Sequence, residues 1–166
     1  GYTDYAYGGH AVPVWLDFEA VTWLVENNHL TKDAIIINGY SGDFIFGGHI
    51  PEKLTYDPSV ETLVNSLLEK HCSHFKSNVL SRTYQTIKDN LVVDLKDHAG
   101  ENPSLNSLCT FLEHWDWQER QVKAVVNGQR LYEYYNLDWL LPLWDRSLVD
   151  LSQTIPLPLR VNQKLH

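Results

Sequence analysis

The sequence predicts a mostly α-helical protein attached to the remnant of a parallel α/β sheet. Three observations carry that reading. Beyond Pro58, apolar residues recur at three- and four-residue spacing almost throughout. Residues 34–37, Ala-Ile-Ile-Ile, form a short unbroken apolar run, the pattern of a strand covered on both faces. No other segment reads as a strand, so this one needs ladder partners from elsewhere.

The elements follow in order. Residues 1–14 are aromatic and turn-rich, broken by Gly8-Gly9 and Pro13. From Trp15 to Asn28, the residues Trp15, Phe18, Val21, Trp23, Leu24 and Val25 make the broad apolar face of a helix, with Asp17 and Glu19 in its first turn. The strand at 34–37 feeds a small-residue loop, Asn38 to Asp43. Ser59 is a natural cap for a helix over 60–75, whose Val60, Leu63, Val64, Leu67 and Leu68 share a face. A second helix is expected over 78–90, then a polar loop over 94–103. Ser104 opens a long helical region to about Val126, and Gln129–Tyr135 gives a short helix. Residues 136–145 read as a hydrophobic turn around Pro142, and 147–154 as a last helix. The expected division is a sheet remnant over 1–57 and a helical subdomain over 58–166.

Composition removes several function classes. The formal charge of −8, from 13 basic and 21 acidic residues, disfavours a nucleic-acid partner, whose phosphates need Lys and Arg. Cys72 and Cys109 share no paired or metal-type spacing, so a disulfide scaffold is not expected and a cytoplasmic setting is. No apolar run reaches the ~18–20 residues of a membrane helix. There is no methionine, and the chain is expected to be part of a longer or processed product. The six tryptophans and nine tyrosines read first as core. His10 and His49 lack any metal-type spacing with Asp43, and His71 and His74, flanking Cys72, read as a solvated helix face.

The loop after the strand is the most informative segment. Gly/Ser-rich backbone at the carboxyl end of a buried strand is where open α/β sheets bind ligands. Asp43 stands where a carboxylate holds magnesium against phosphate oxygens.

The string NGYSGDFIFGGH, residues 38–49, resembles the signature of the asparagine synthetase family, Ser-Gly-Glu-Gly-x-Asp-Glu-x-Phe-Gly-Gly-Tyr. Gly39, Asp43, Phe46, Gly47 and Gly48 match in register. Residues 136–160 resemble that family's Gly-x-Glu-x-Arg-x-Pro-Phe-Leu-Asp stretch and the helix and Leu-Pro turn after it. Asp138 stands for the Glu, Pro142 and Asp145 match, and Arg160 falls where the family has a phosphate-contacting Lys. The resemblance implies the C-terminal portion of an adenine nucleotide alpha-hydrolase-like (Rossmann-like) synthetase domain. It further implies an ATP-dependent carbon–nitrogen ligase that adenylates a carboxylate and forms an amide, using ATP and Mg2+.

By that resemblance Asp43 and Arg160 are the catalytic residues, with Asp43 on the metal. Gly39, Tyr40, Ser41, Gly42, Phe44, Glu119, Lys123 and Asp138 line the substrate site, Arg120 and Gln121 lie on the same cleft-lining helix as Glu119 and Lys123, and ammonia comes from a glutaminase domain or partner. Tyr40, Phe44 and Leu140 replace the family's Glu, Glu and Arg, which points away from aspartate toward another carboxylate, a surface-polysaccharide sugar acid being one candidate. The family's nucleotide loop, Ser-Gly-Gly-x-Asp-Ser, does not occur in these 166 residues, so the isolated chain is expected to be an inactive C-terminal fragment.

Two rival readings stand beside this one. A degenerate synthetase half could serve as a binding or assembly module. Alternatively, Trp115, Trp117 and Tyr132 could form a carbohydrate platform. Glu113, Asp116, Glu119 and Arg120 read equally as helix-surface ion pairs, and Asp145 as a helix cap. An exposed strand edge is expected to bring self-association.

Overall fold

A computed structural model describes the backbone of residues 1–9, 11, 13–72 and 77–165, with all their side chains except those of Leu16 and residues 77–81. His10, His74 and the expected helical residues 73–75 lie outside it. The protein is mostly helical with one small parallel sheet. In chain order the elements are α1 (Tyr2–Gly8), α2 (Trp15–Glu26), β1 (Ile35–Ile37), α3 (Gly42–Ile45), α4 (Lys53–Tyr56) and α5 (Val60–Cys72). They continue with α6 (Ser77–Ala99), α7 (Leu105–Asp116), a π-helical stretch (Trp117–Val126), α8 (Arg130–Tyr134) and β2 (Asp138–Leu140). The chain ends through a 3-10 turn (Pro142–Trp144), α9 (Arg146–Thr154), α10 (Leu157–Arg160) and a second 3-10 turn (Val161–Gln163). Among the described residues no helix is long and apolar enough to cross a membrane.

The chain divides into two compact units that alternate along the sequence, where the expectation was a single boundary at 57/58. One comprises Gly1–Ile45 and Asp116–Thr154, the other Phe46–Trp115 and Ile155–His166.

The first unit holds the sheet. Its core gathers Tyr2, Ala6, Val21, Leu131, Tyr132 and Leu137, with Phe18, Ile36, Tyr134 and Trp139 packed against them. Tyr2 stacks on Phe18 at 4.5 Å, and its hydroxyl accepts the Val14 N–H at 2.9 Å. That packing explains α1, which the turn-rich sequence does not announce: burying Tyr2 and Ala6 outweighs weak local propensity. Tyr132 is buried here, so it is core rather than part of an exposed aromatic platform.

The sheet corrects two expectations. The partner of β1 is in this chain: β2 pairs parallel to it, with Ile35 opposite Asp138, Ile36 opposite Trp139 and Ile37 opposite Leu140. The β1 run is also not covered on both faces. Ile36 points into the core, but Ile35 is 55% and Ile37 70% exposed, and Leu140 beside them is 53% exposed.

The second unit is built on leucines. Leu54, Leu63, Val64, Leu67, Leu68, Leu95 and Leu108 are essentially inaccessible, so truncating any one to alanine would cost roughly 2–5 kcal/mol. Ser59 caps α5 by accepting the Thr62 N–H at 3.1 Å, and Ser104 caps α7 through the Ser107 N–H at 3.2 Å, both as the sequence indicates. The segment expected as a polar loop from 94 is instead the last turns of α6, which run to Ala99 because Leu95 anchors one face in the core. Gly100, at φ +82°, then ends the helix by donating its N–H to the Lys96 carbonyl at 2.8 Å.

Glu113 and Asp116 are buried, not on a helix surface. Arg160, also buried, forms an ion pair with Glu113 inside the second unit. Gly47 lies against the same residue. Its φ is +82°, and a Cβ there would stand 2.7 Å from the Arg160 carbonyl oxygen.

Candidate functional site at the carboxyl edge of the sheet

Because β1 and β2 run parallel, the loops that follow them leave the same edge of the sheet. The Asn38 N–H extends the ladder to the Leu140 carbonyl at 3.0 Å. Asn38 then fixes the loop from both ends of its amide. Its Oδ1 accepts the Tyr40 N–H at 3.0 Å, while its Nδ2 donates to the Tyr132 hydroxyl at 3.0 Å.

Ser41 sits at φ +71°, a left-handed conformation that is strained for a residue carrying a Cβ, by about 1–3 kcal/mol. Its buried hydroxyl donates to Gln121 Oε1 at 2.8 Å, which anchors the loop to the π-helical stretch. The wider turns of that stretch are a feature often found at functional sites. Gly42 comes so close to the loop after β2 that a Cβ would stand 2.8 Å from Leu143 Cδ1. Phe44 packs near Trp117 at 6.0 Å, and Trp117 stacks on Trp144 at 4.2 Å. The loops after the two strands and the π-helical stretch thus form one assembly.

The Tyr40 hydroxyl donates to Asp17 Oδ2 of α2 at 2.8 Å. Partial burial, and then this bond to a carboxylate, push the phenol up to about 12. Beside it opens a cavity of about 220 Å³, bounded by Asp17, Tyr40, Arg120, Val125, Gln129 and Tyr132 among others. A carboxylate, a guanidinium and two phenols on apolar walls suit a small polar molecule.

Of the residues singled out by sequence, Tyr40, Ser41, Gly42 and Phe44 converge here. Gly39 is exposed, with open space over its Cα. Asp43 is exposed at the start of α3, and its Oδ1 accepts the Phe44 N–H at 2.9 Å. Among the described residues no three His, Cys, Asp or Glu side chains gather as a metal site. Glu119 and Lys123 pair with each other on the solvent side of the π-helical stretch, and Lys123 borders a different depression with Arg130 and Trp139. Asp138 opens β2 and so lies at the amino edge of the sheet, away from the loop. Arg160 belongs to the second unit. Asp145 caps α9, its Oδ1 accepting the Ser147 and Leu148 N–H groups.

Arg120 and Gln121, on the helix expected to line the cleft, do reach this site, Arg120 at the cavity and Gln121 at Ser41, whereas Asp17, Gln129 and Tyr132 complete it without having been singled out as members of it. Gln129, the residue before α8, is buried like Gln121, and nothing local in the sequence sets it apart from a surface glutamine. No family profile, curated protein or solved structure matches this chain.

Proposed function

We propose that this chain carries the pyrophosphate-side part of an asparagine synthetase-like, ATP-dependent amide-forming ligase of the adenine nucleotide alpha-hydrolase-like fold. One observation supports this above the others. The first segment that resembles the family, 38–49, directly follows β1, the second, 136–160, contains β2, and these two strands, 103 positions apart, pair as parallel neighbours. Of the matching residues, Gly39, Asp43, Pro142 and Asp145 follow the two strands within the first unit, on the side where parallel sheets bind ligands. Two backbone features agree with this reading. The pattern's fourth residue is glycine, and Ser41 at that place has a positive φ; Gly47, a direct match, has both a positive φ and no room for a Cβ.

Asp43 offers one accessible carboxylate, which fits a magnesium ion that arrives on a nucleotide and keeps phosphate and water as its other ligands. It does not make a metal centre from protein groups alone. A magnesium ion held there would neutralise charge on the departing pyrophosphate. The chain's own contribution is positional. Asn38 and Gln121 hold the loop, Gly42 lets the loop after β2 approach, and Asp17 places a negative charge next to Tyr40, where the family pattern has Glu. The nucleotide-gripping Ser-Gly-Gly-x-Asp-Ser loop and the ammonia source would be supplied outside these residues, and the acceptor would be a small carboxylate.

The test is calorimetric titration of the chain with pyrophosphate, with and without Mg2+. Binding that requires Mg2+ and is lost in Asp43→Asn is expected. Equal binding by Asp43→Asn, or none by the parent chain, would overturn the proposal and favour a binding or assembly module.

A further inference from the structure

The second unit carries a feature that the sheet-edge site does not use. His98, in the last turn of α6, and His114, in the last turn of α7, face one another with ring centroids 5.9 Å apart and planes inclined by 36°. Both border a depression of about 400 Å³ whose other walls are Asn106, Ser107, Thr110 and Phe111.

The protonation pattern of His98 is set by its partner. Its Nδ1 lies 2.7 Å from the backbone carbonyl oxygen of Asp94, an atom that only accepts, so Nδ1 donates and in the neutral ring the lone pair is on Nε2. A backbone carbonyl holding the far nitrogen of an imidazole is the arrangement that orients histidine ligands toward metals and makes them more basic. His114 makes no hydrogen bond among the described residues, so its ring is free to present either nitrogen.

The spacing agrees as well. A metal ion bound ~2.0–2.1 Å from one nitrogen of each ring keeps the two centroids on the order of 5–6.5 Å apart. The other lining groups are hydroxyls and an amide, poor ligands for soft or borderline ions but adequate hydrogen-bond partners for metal-bound water.

We infer that His98 and His114 form a two-imidazole site for a borderline first-row divalent cation such as Zn2+, with water completing the coordination. Imidazole pairs select this class over Mg2+ and Ca2+, which prefer oxygen. The ion would join α6 to α7 across the turn at 100–104 and leave coordination positions open to exchange.

Isothermal titration of the whole chain with ZnCl2 tests this, comparing the parent with His98→Gln, His114→Gln and His29→Gln, the last a histidine stacked on Trp23 in the other unit. Both residues are exposed, so neither substitution opens a cavity in the core, and the one core contact given up is that of the His98 ring with Phe111, 5.9 Å between centroids. One Zn2+ per chain is expected, unaffected by His29→Gln. Each of the other two variants is expected to weaken it by roughly 10–100-fold or more, since losing a ligand costs at least as much as losing a ligand's outer partner. The Cu2+-loaded parent should give an electron paramagnetic resonance spectrum with two coordinated imidazole nitrogens. No Zn2+ binding by the parent, affinity retained in either variant, or a single coordinated nitrogen would each overturn the assignment.

Discussion

Replacing Gly47 by alanine separates two physical effects that usually arrive together. The φ of +82° alone disfavours any residue with a Cβ, by about 1–2 kcal/mol. The added Cβ would also stand 2.7 Å from the Arg160 carbonyl oxygen and 2.9 Å from its carbonyl carbon. Backbone cannot rotate aside as a side-chain tip does, so the strain of overpacking adds roughly 1–3 kcal/mol. The total is about 2–5 kcal/mol, a large share of the ~5–15 kcal/mol stability of a typical domain.

Gly100 supplies the control. It has the same φ of +82° but nothing within 4 Å of its Cβ position, so Gly100→Ala carries the conformational penalty alone. Urea unfolding of the two variants and the parent, followed by circular dichroism, should place Gly100→Ala about 1–2 kcal/mol below the parent. Gly47→Ala should fall a further 1 kcal/mol or more below it. Equal midpoints for the two variants would refute the close approach of the Gly47 and Arg160 backbones.

Further outcomes follow from the same structure. Arg160→Ala leaves the Glu113 carboxylate buried without its partner and should destabilise by about 3–5 kcal/mol in urea, while the double variant Glu113→Leu/Arg160→Met should lose much less. Tyr40, raised to about 12, favours folding while neutral, so its contribution is complete below pH ~10 and disappears between ~10 and ~12. The late-titrating step in absorbance at 295 nm should vanish in Tyr40→Phe. Burial pushes the Cys109 thiol up to about 11, whereas Cys72 is only partly covered and less displaced. Alkylation at pH 8 followed by mass spectrometry should therefore label Cys72 first, with Cys109 reacting only on unfolding.

Much of the helical architecture is legible in the sequence, because three-and-four spacing and the caps at Ser59 and Ser104 are local signals. What escapes is what tertiary contact decides. Asp138-Trp139-Leu140 is too short and too close to Pro142 to read as a strand, and it becomes one by pairing with residues 103 positions away. The isoleucines of β1 read as buried because a parallel strand usually has helices over both faces. Here Ile36 has such cover and its two neighbours do not. Residues 94–99 look like a loop since five of the six are polar or small, yet the one leucine among them is fully buried. At the candidate site the order of small residues marks the loop, but the bonds from Tyr40 to Asp17 and from Ser41 to Gln121 join side chains 23 and 80 positions apart. No local pattern announces such pairs.

The alternation of the two units along the chain has a consequence for synthesis. Neither unit is a contiguous stretch, so neither can close when its first segment leaves the ribosome. After Ile45, the 70 residues from Phe46 to Trp115 must emerge before the first unit receives its second part, a wait of roughly 4–14 s at ~5–20 residues per second. Meanwhile Ile35, Ile36 and Ile37 have no β2 to pair with. The nascent chain thus displays an apolar, hydrogen-bond-hungry segment for seconds, the kind of stretch that holding chaperones engage.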